Sequence, residues 1–557
     1  MVQNYFAVGD NVFLTAVFAM LPILFLFWAL LIKKMKAYKG IFFAWILTLL
    51  TAIFIFRMPP LTAVSAAAYG ALQGIFPLCW LVFNAVFLYN LIVKSGKFEV
   101  IKYSIASISN DRRVQAILIG FCFSAFLEGS TAFGAPVAIS AAMLTGLGFP
   151  AMKAVVICLV GNTFPVPFGP IGLPTMITVS TAFGDNPSAL LAVTSLVGGI
   201  MSFYALIIPI LMLIILCGRK AALEVLPLCI VTSVCYIIPN LFITRYLGPQ
   251  LPSLLSPIIS LAGLICFLRI YKPKRIWRFD EDPSVLHTVV LHTVIAPNVA
   301  EPDAEQNYSG VKIAHAWLPF MMLTVFMVIW SLPQFKDFSA ALPIKINIGE
   351  WPFLHGFVYQ ASPITETASL YAAVFNFDLL AAAGTAIFII TIFTKLIFKL
   401  QLQVFWEVFV STLKQLKFAI AIMILVLSIA QVSNYSGISF TLGLAFAAAG
   451  TLFMVFSPII GFTGVFLTGS IASSGALFGN LQRISAEQLG LEPIITITAN
   501  IAGSAMGKLI SPQSLTIGAA AIGLSGKEGS IMGKMVKYAF GLLGICVIIM
   551  LVLTYIY

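Results

Sequence analysis

The stretch Phe126-Leu-Glu-Gly-Ser-Thr-Ala-Phe-Gly-Ala-Pro136 interrupts an apolar run that extends from residue 114 to residue 150. A cluster of glycine and hydroxyl residues breaks a helix, and irregular backbone at membrane depth is tolerated only inside protein or around a cavity. The apolar run 452–491 contains a corresponding stretch, Phe466-Leu-Thr-Gly-Ser-Ile-Ala472. We therefore predict two re-entrant hairpins, 114–150 and 452–491, each made of two half-helices that meet at a tip.

The two stretches belong to a longer internal repeat. A Ser-Gly pair precedes each of them, an asparagine follows each of them, and a proline comes 12 residues after each asparagine. From Glu128 to Asn162 is 34 residues, and from Thr468 to Asn500 is 32 residues. Chance matches between small residues in apolar helices are the alternative, but four matches in the same order favour a repeat. Repeats of opposite topology with broken helices are typical of secondary transporters.

The composition agrees with a membrane protein. Of 557 residues, 60% are hydrophobic and 9% are charged, whereas a soluble domain carries about 25% charged residues. The sequence therefore predicts an all-α polytopic membrane protein with twelve transmembrane helices plus the two hairpins. The predicted crossings are 12–32, 41–56, 75–93, 152–181, 188–217, 222–243, 253–270, 314–332, 379–399, 418–434, 495–523 and 533–556.

The charge distribution predicts the orientation. The net charge is +11, from 31 Lys+Arg and 20 Asp+Glu. With the N-terminus outside, 25 of the 31 basic residues fall on or beside predicted cytoplasmic loops and five fall outside. Basic residues concentrate in cytoplasmic loops, so we predict that both termini lie outside. The positive net charge then reflects the basic residues of the cytoplasmic loops, and no nucleic-acid partner is expected.

A hydrophilic stretch at 272–312, called the linker below, separates the two halves. We predict a first inverted repeat at 12–217, a connecting helix pair with a cytoplasmic linker at 218–313, and a second inverted repeat at 314–557. The linker contains mixed charges at Asp280, Glu281, Asp282, Glu301, Asp303 and Glu305. Each repeat combines one hairpin with one broken helix, 152–181 in the first repeat and 495–523 in the second.

Glu128 is the residue that we expect to carry protons. It follows 14 residues, 114–127, that are apolar or small except for Gln115, and it lies at the predicted hairpin tip, near the middle of the bilayer. A charged acid there costs about 2.5–3.5 kcal/mol on insertion scales, and burial favours its neutral form. The alternative is a structural carboxylate that accepts hydrogen bonds from the amides of the tip.

Lys508 is the best candidate counter-ion for a substrate carboxylate. It lies eight residues after Asn500, and Pro170 lies eight residues after Asn162, so the two halves differ where function requires a difference. The alternatives are that Lys508 extends toward the cytoplasmic surface or pairs with Glu128.

Small and polar residues at the two tips and in the two broken helices are the remaining candidates for substrate contact. Half-helix N-termini attract anions, although serine and glycine also allow membrane helices to pack closely. The candidates are Gly129, Ser130, Thr131, Gly134, Asn162, Thr163, Thr468, Gly469, Ser470, Ser473, Ser474, Asn500, Ser504, Ser511 and Gln513.

No cofactor or metal site is expected. The four histidines (His287, His292, His315 and His355) lie in loops or at helix starts, and all eight cysteines lie in apolar runs without paired spacing. A haem-bearing respiratory subunit is therefore disfavoured. Glu366 and Asp378 flank an amphipathic segment that we place at the membrane interface, with a role in an outer gate as the alternative.

The residues also resemble a known family, the bacterial L-lactate permeases. The resemblance covers essentially the whole chain and rests on Leu21-Pro-Ile-Leu, Phe126 to Ile139, Gly146-Leu-Gly-Phe, Asn162-Thr, Ser433-Asn-Tyr-Ser-Gly, Phe466-Leu-Thr-Gly-Ser and Gly507-Lys-Leu-Ile-Ser-Pro-Gln-Ser. It implies proton-coupled uptake of L-lactate across the bacterial plasma membrane, with D-lactate and glycolate as further substrates. The pair Ser130-Thr131, where smaller residues are expected in the family, bears on substrate preference.

One alternative stays open at this point. Hydroxyls and unwound carbonyls at paired tips also suit Na⁺, so a sodium-coupled carboxylate symporter is the nearest rival to a proton-coupled one. The sequence leaves the oligomeric state open.

Overall fold

The computed structural model describes residues 1–33, 35–131, 134–279, 308–341, 346–365 and 367–556. The predicted linker charges from Asp280 to Glu305, together with His287, His292 and Glu366, lie outside the described residues. Within the described residues the elements are helices, apart from four short strands.

The helices that precede the linker are α1 (Val12–Ala19), α2 (Leu21–Phe27), α3 (Ala37–Leu50), α4 (Pro60–Gln73), α5 (Trp80–Lys94), α6 (Lys97–Ala106), α7 (Arg112–Ile117), α8 (Ser124–Ser130), α9 (Ala135–Gly146), α10 (Ala151–Gly161), α11 (Gly169–Phe183), α12 (Pro187–Leu223), α13 (Leu226–Tyr246) and α14 (Pro252–Ile270). Four π-helical segments connect or extend them, at Trp28–Ile32, Thr51–Ile55, Gly74–Cys79 and Leu118–Phe123.

The elements that follow the linker are α15 (Gly310–Ser331), α16 (Pro333–Ala341), β1 (Ile346–Glu350), β2 (Tyr359–Gln360), β3 (Ser369–Leu370), β4 (Val374–Phe377), α17 (Ala383–Ile397), α18 (Leu402–Ser436), α19 (Ile438–Ala447), α20 (Phe453–Thr468), α21 (Ile471–Gln488), α22 (Pro493–Lys508), α23 (Pro512–Ala521) and α24 (Glu528–Ile556). Short 3₁₀ turns lie at Val166–Phe168 and Gly450–Leu452.

The helical, membrane-spanning fold class is confirmed. Among the described residues, eleven helices are long and apolar enough to cross a membrane. The number is twelve when α1 and the helix that follows it, bent by 42° at Met20, count as one crossing. The protein is therefore a multi-pass membrane protein.

Two predicted crossings have the wrong bounds. The crossing predicted at 75–93 begins at Pro60, and the crossing predicted at 418–434 is part of one helix from Leu402 to Ser436, most of the predicted loop 399–417 included. The first error arises because α4 is rich in small residues, which lowers its hydropathy. Those residues allow close packing: a Cβ on Gly70 would lie 2.4 Å from the backbone oxygen of Leu427 in α18.

The segment between α16 and α17 contains strands, where the sequence indicated only an amphipathic segment. β1 pairs with β4 and β2 pairs with β3, both antiparallel. Asp378 ends this segment, and its Oδ1 accepts a hydrogen bond from the amide of Ala381. The interfacial position of Asp378 stays a prediction.

Loops predicted on the same side of the membrane meet at the same end of the molecule. At one end, the backbone of Val2 bridges to Tyr359, and Ser65 Oγ donates to the carbonyl of Pro352. At the other end, Arg113 donates to Glu224 and to the carbonyl of Arg275. The first end carries the loops predicted outside, and the second end carries loops predicted in the cytoplasm.

The two halves repeat one order of elements. After a glycine in the left-handed region (Gly96, φ 73°; Gly437, φ 98°) each half continues with a short helix, a hairpin, a broken helix and a long helix. The first half uses α6 to α12, and the second half uses α19 to α24.

The hairpins enter from opposite ends, as inverted repeats require. The first hairpin (α7, α8 and α9) starts beside Arg113, at the end that holds Glu224. In the second hairpin (α20 and α21), Asn480 of α21 donates to Asn434, and the carbonyl of Asn434 accepts a hydrogen bond from Gln3 near the N-terminus.

The packing between the halves is reciprocal. Helix α11 of the first broken helix packs on α21 of the second hairpin, and α23 of the second broken helix packs on α9 of the first hairpin. This exchange of partners places both tips and both helix breaks together. The boundaries predicted at 217/218 and 313/314 stay predictions; helix α12 passes the first of them, with non-helical backbone at Gly218.

Candidate functional site

Four helix N-termini meet at one cavity between the hairpin tips and the breaks in the two broken helices. The cavity has a volume of about 50 Å³, room for a few water molecules. Its walls are formed by Glu128, Gly134, Val166, Pro170, Leu173, Pro174, Met423, Gly469, Ser470, Ile471, Ala472, Lys508, Gln513, Ser514 and Ile517.

The local sequence explains why the four helices start there. Gly134 (φ 83°) and Gly469 (φ 71°) reverse the chain at the two tips in a conformation that side chains rarely adopt. Ser470 caps α21 by accepting from the amide of Ser473, and Ser511 caps α23 by accepting from the amide of Ser514. Non-helical backbone ahead of Leu173 delays the regular turns of α11 until the chain reaches the cavity.

Glu128 lies at the centre of the site and bonds to residues of both halves. Its Oε1 lies 3.0 Å from Lys508 Nζ, and its Oε2 accepts a hydrogen bond of 2.7 Å from Asn162 Nδ2. The side chains of Glu128 and Lys508 are 4% and 16% exposed. The pairing considered from the sequence as an alternative for Lys508 is therefore present in this structure.

Glycine makes room for this carboxylate. A Cβ on Gly169 would lie 2.6 Å from Glu128 Oε1, and a Cβ on Gly129 would lie 2.3 Å from the backbone oxygen of Ser253 in α14. Gly169 therefore lets the broken helix pass directly beside the acid. Gly129 lets α14 support the first tip from behind.

The electrostatics of the site favour one bound anion. Each helix N-terminus contributes about 0.3–1 kcal/mol toward a nearby negative charge, and Lys508 adds a full positive charge. Glu128 is the anion that occupies this field in the structure. A carboxylate from outside the protein would have to compete with Glu128 for the same lysine.

The predicted site residues divide into two groups. Glu128, Gly134, Gly469, Ser470, Lys508 and Gln513 form part of the cavity wall. The others lie behind it, and several of their hydroxyls bond to backbone carbonyls of their own helices. These are Ser130 to Phe126, Thr131 to Leu127, Thr163 to Leu159 and Thr468 to Gly464.

Four of the residues behind the wall lie around the second broken helix. Ser504 Oγ lies 3.3 Å from Ser474 Oγ and 3.4 Å from Asn500 Oδ1. The Nδ2 atom of Asn500 is buried without a hydrogen-bond partner among the described residues. Ser473 donates its amide to Ser470. Direct contact of these residues with a substrate stays a prediction.

The sequence reasoning missed most of the apolar wall. Pro170 had a signal, because it occupies the position that corresponds to Lys508. Met423 had none, because it lies in an uninterrupted apolar run of α18, far in sequence from either tip. Leu173 lies at the start of the regular part of α11 and Ile517 lies within α23, both near polar motifs, and the sequence did not distinguish them from packing residues.

The described histidines take part in ordinary contacts. The His315 ring packs at 5.2 Å from that of Phe398, and His355 Nδ1 accepts from the amide of Ala373. Over the described part of the chain, no three His, Cys, Asp or Glu side chains group into a metal site.

The chain is similar in sequence to a known protein family and to named proteins. A family model described as L-lactate permease matches residues 15–557. The L-lactate permease of Bacillus subtilis (strain 168) is 39% identical over 567 aligned residues, which cover 98% of this chain and 97% of the relative. Glycolate permease GlcA of Escherichia coli (strain K12) is 38% identical and covers 100% of this chain and 98% of its own length.

Among solved structures, MtrF of Neisseria gonorrhoeae, described as illuminating a class of antimetabolite efflux pumps, covers 89% of this chain and 83% of its own. Its TM-score is 0.47 and its sequence identity is 10%.

Proposed function

The chain belongs to the L-lactate permease family, and from this premise we propose that it imports L-lactate together with protons, with D-lactate and glycolate as further substrates. It is a transporter and not an enzyme. The relatives named L-lactate permease and glycolate permease support these two substrates, which share a carboxylate and a 2-hydroxyl group. The family does not support the sodium-coupled alternative, so the proposed coupling ion is H⁺.

We place the protein in the bacterial plasma membrane with both termini outside. The distribution of basic residues, 25 against five, supports this orientation. The structure is compatible with it, because loops on the same predicted side share one end of the molecule.

The observation that carries the mechanism is the Lys508–Glu128 pair in the cavity wall. Ionised Glu128 neutralises Lys508. A lactate carboxylate that entered next to this pair would leave one buried negative charge without a partner, which is strongly unfavourable in a membrane protein. Protonation of Glu128 removes that charge and frees Lys508 to bind lactate. Lactate and one proton therefore bind together.

Asn162 fits both protonation states of the acid. Its Nδ2 donates to Glu128 Oε2, while its buried Oδ1 has no partner among the described residues. A side-chain amide can donate to a carboxylate and, after rotation, accept from a carboxylic acid. Asn162 thus supports Glu128 before and after proton binding.

The remaining wall suits the rest of the substrate. The amides at the starts of α9, α11, α21 and α23 favour the carboxylate, and Ser470 and Gln513 offer hydrogen bonds to the 2-hydroxyl. Each of these contacts is a proposal. Alternating exposure of the cavity follows from exchange between the two inverted repeats.

The test uses the purified full chain in proteoliposomes. Lactate uptake is measured with the pH gradient and the sodium gradient varied separately, and counterflow is measured with a panel of 2-hydroxy acids. We expect accumulation that follows the pH gradient, and counterflow by L-lactate, D-lactate and glycolate. Accumulation that follows only the sodium gradient would refute proton coupling. Absence of lactate counterflow would refute the substrate.

A further inference from the structure

The wall of the cavity has two kinds of chemistry. Charged and polar groups come from Glu128, Lys508, Ser470, Gln513 and Ser514, and apolar side chains come from Val166, Leu173, Met423, Ile471 and Ile517. A 2-hydroxy acid has the same division. Its carboxylate and hydroxyl need hydrogen-bond partners, while the substituent on C2 is hydrogen in glycolate and methyl in lactate. Apolar side chains are the favourable surroundings for that substituent.

Met423 differs from the other apolar residues of the cavity wall in the helix on which it lies. Among the described residues of the wall, only Met423 comes from outside the hairpins and the broken helices; it lies on α18. Its side chain is 8% exposed. It therefore closes the cavity from a different part of the molecule than the one that holds the charges.

Met423 is supported from behind. Its Sδ lies 3.8 Å from Sγ of Cys79, at the end of the π-helical segment between α4 and α5. The next residue, Ile424, is approached closely by that segment, since a Cβ on Gly74 would lie 3.0 Å from its Cα. The backbone that carries Met423 is thus held in place, while the unbranched side chain can adjust its shape.

Ile517 and Leu173 complete the apolar part. The position of a Cβ on Gly134 would be 3.0 Å from Ile517 Cδ1, so the isoleucine lies directly against the first tip. Leu173 is buried at the start of the regular part of α11. Neither residue donates or accepts hydrogen bonds through its side chain, so neither can recognise the carboxylate.

We infer that Met423 determines substrate specificity by contacting the C2 substituent of the transported 2-hydroxy acid, with Ile517 and Leu173 beside it. This inference rests on the proposed function and narrows its substrate class to 2-hydroxy acids with a small substituent. One methylene more or less on a substrate changes the discrimination of an apolar pocket between two substrates by about 10- to 200-fold. The size of residue 423 should therefore set the largest acid that is accepted.

The test compares Met423→Ala with Met423→Phe in proteoliposomes. Initial uptake rates are measured for glycolate, lactate and 2-hydroxybutyrate. The rates for glycolate and 2-hydroxybutyrate are each divided by the rate for lactate. The alanine variant should raise the 2-hydroxybutyrate ratio about tenfold or more. The phenylalanine variant should raise the glycolate ratio, because the larger ring leaves no room for the methyl group.

Met201→Ala is the matched control, because Met201 is a fully buried methionine on α12 that is absent from the cavity wall. Its substrate ratios should equal those of the unaltered protein. If both Met423 variants keep the unaltered ratios, or shift them as Met201→Ala does, the inference is wrong. If the unaltered protein takes up neither lactate nor glycolate, the proposed function itself fails, and the two failures are thereby distinguished.

Discussion

The first and the second hairpin meet at one cavity but present different chemistry to it. The first tip carries Glu128, and the corresponding residue of the second tip is Thr468, whose hydroxyl bonds to the carbonyl of Gly464. Conversely, the second broken helix carries Lys508 where the first has Pro170. The acid and its counter-ion therefore come from different halves, and the ion pair joins the repeats at the cavity.

The ends of the two hairpins that lie away from the cavity also differ in chemistry. The first is fastened by charge: Arg113 is buried and pairs with Asp111 at 2.8 Å and with Glu224 at 2.7 Å. The second is fastened by neutral groups, with Ser457 bonded to Gln482 and to the carbonyl of Thr496. The repeat therefore conserves the architecture, while each half uses its own polar groups.

Removing the lysine should have the largest effect. In Lys508→Ala, Glu128 loses its charge partner and lactate loses its counter-ion. Breaking a buried ion pair costs about 3–5 kcal/mol, so we expect lactate affinity to fall more than about a hundredfold. Binding is measured by the concentration dependence of counterflow. Lys527→Ala, which changes an exposed lysine, should behave as the unaltered protein. Unchanged affinity in Lys508→Ala would exclude Lys508 as the carboxylate site.

The two fastenings should differ in their contribution to stability. Arg113→Ala leaves Asp111 buried without its ion-pair partner, and we expect a loss of about 3 kcal/mol. Ser457→Ala removes neutral hydrogen bonds, and we expect about 1 kcal/mol. The midpoint of thermal unfolding in detergent measures both, with Arg219→Ala as the control at an exposed arginine. Equal losses at the two ends would contradict the contrast between charged and neutral fastening.

Replacing the acid should separate binding from coupling. Glu128→Gln resembles the protonated state, so lactate counterflow should persist while accumulation driven by a pH gradient is lost. For one proton per lactate, a gradient of one pH unit supports about tenfold accumulation, and the variant should show none. Glu407→Gln, at an exposed glutamate paired with Lys94, should retain it. Undiminished proton dependence in Glu128→Gln would remove Glu128 as the proton carrier.

The smallest effect is expected at the two asparagines, where only Asn162→Ala should shift the pH dependence of uptake. Asn162→Ala deletes a hydrogen bond that is worth about 1.5–3 kcal/mol to the ionised acid but only about 0.5–1.5 kcal/mol to the protonated one. Protonation of Glu128 then becomes easier, and half-maximal lactate uptake should move to higher pH. Asn500→Ala removes an amide nitrogen that has no partner among the described residues, so its pH profile should stay in place. Equal shifts in both variants would show that the asparagines act through packing.

Much of the fold could be predicted from the chain alone, because the bilayer limits what an apolar segment can do. Length and hydropathy were sufficient for most crossings, and glycine and proline marked the hairpins and the broken helices. The prediction failed for α4 and for the first part of α18. Small residues in α4 and exposed polar residues in α18 lower hydropathy, yet both segments continue as helix through tertiary packing.

The two charged residues of the candidate site could be singled out from the sequence, whereas most of its apolar wall could not. Glu128 and Lys508 stood out because ionisable residues in apolar runs are rare. Met423, Ile517 and Leu173 did not, because one apolar residue among many carries no signal until the fold places it beside a charge. The hydroxyls of Ser130 and Thr131 donate to helix carbonyls one turn earlier, and their contact with a substrate stays a prediction.

The sequence by itself determined that this is a multi-pass membrane protein and predicted two inverted repeats, because the apolar character of a segment and its breaks at glycine and proline are local properties. Only the tertiary structure decided that Lys508 and Glu128, 380 residues apart, lie within hydrogen-bonding distance. Packing of each half on the other brings them together. A contact of that kind depends on the whole arrangement of helices, and neither half encodes it alone.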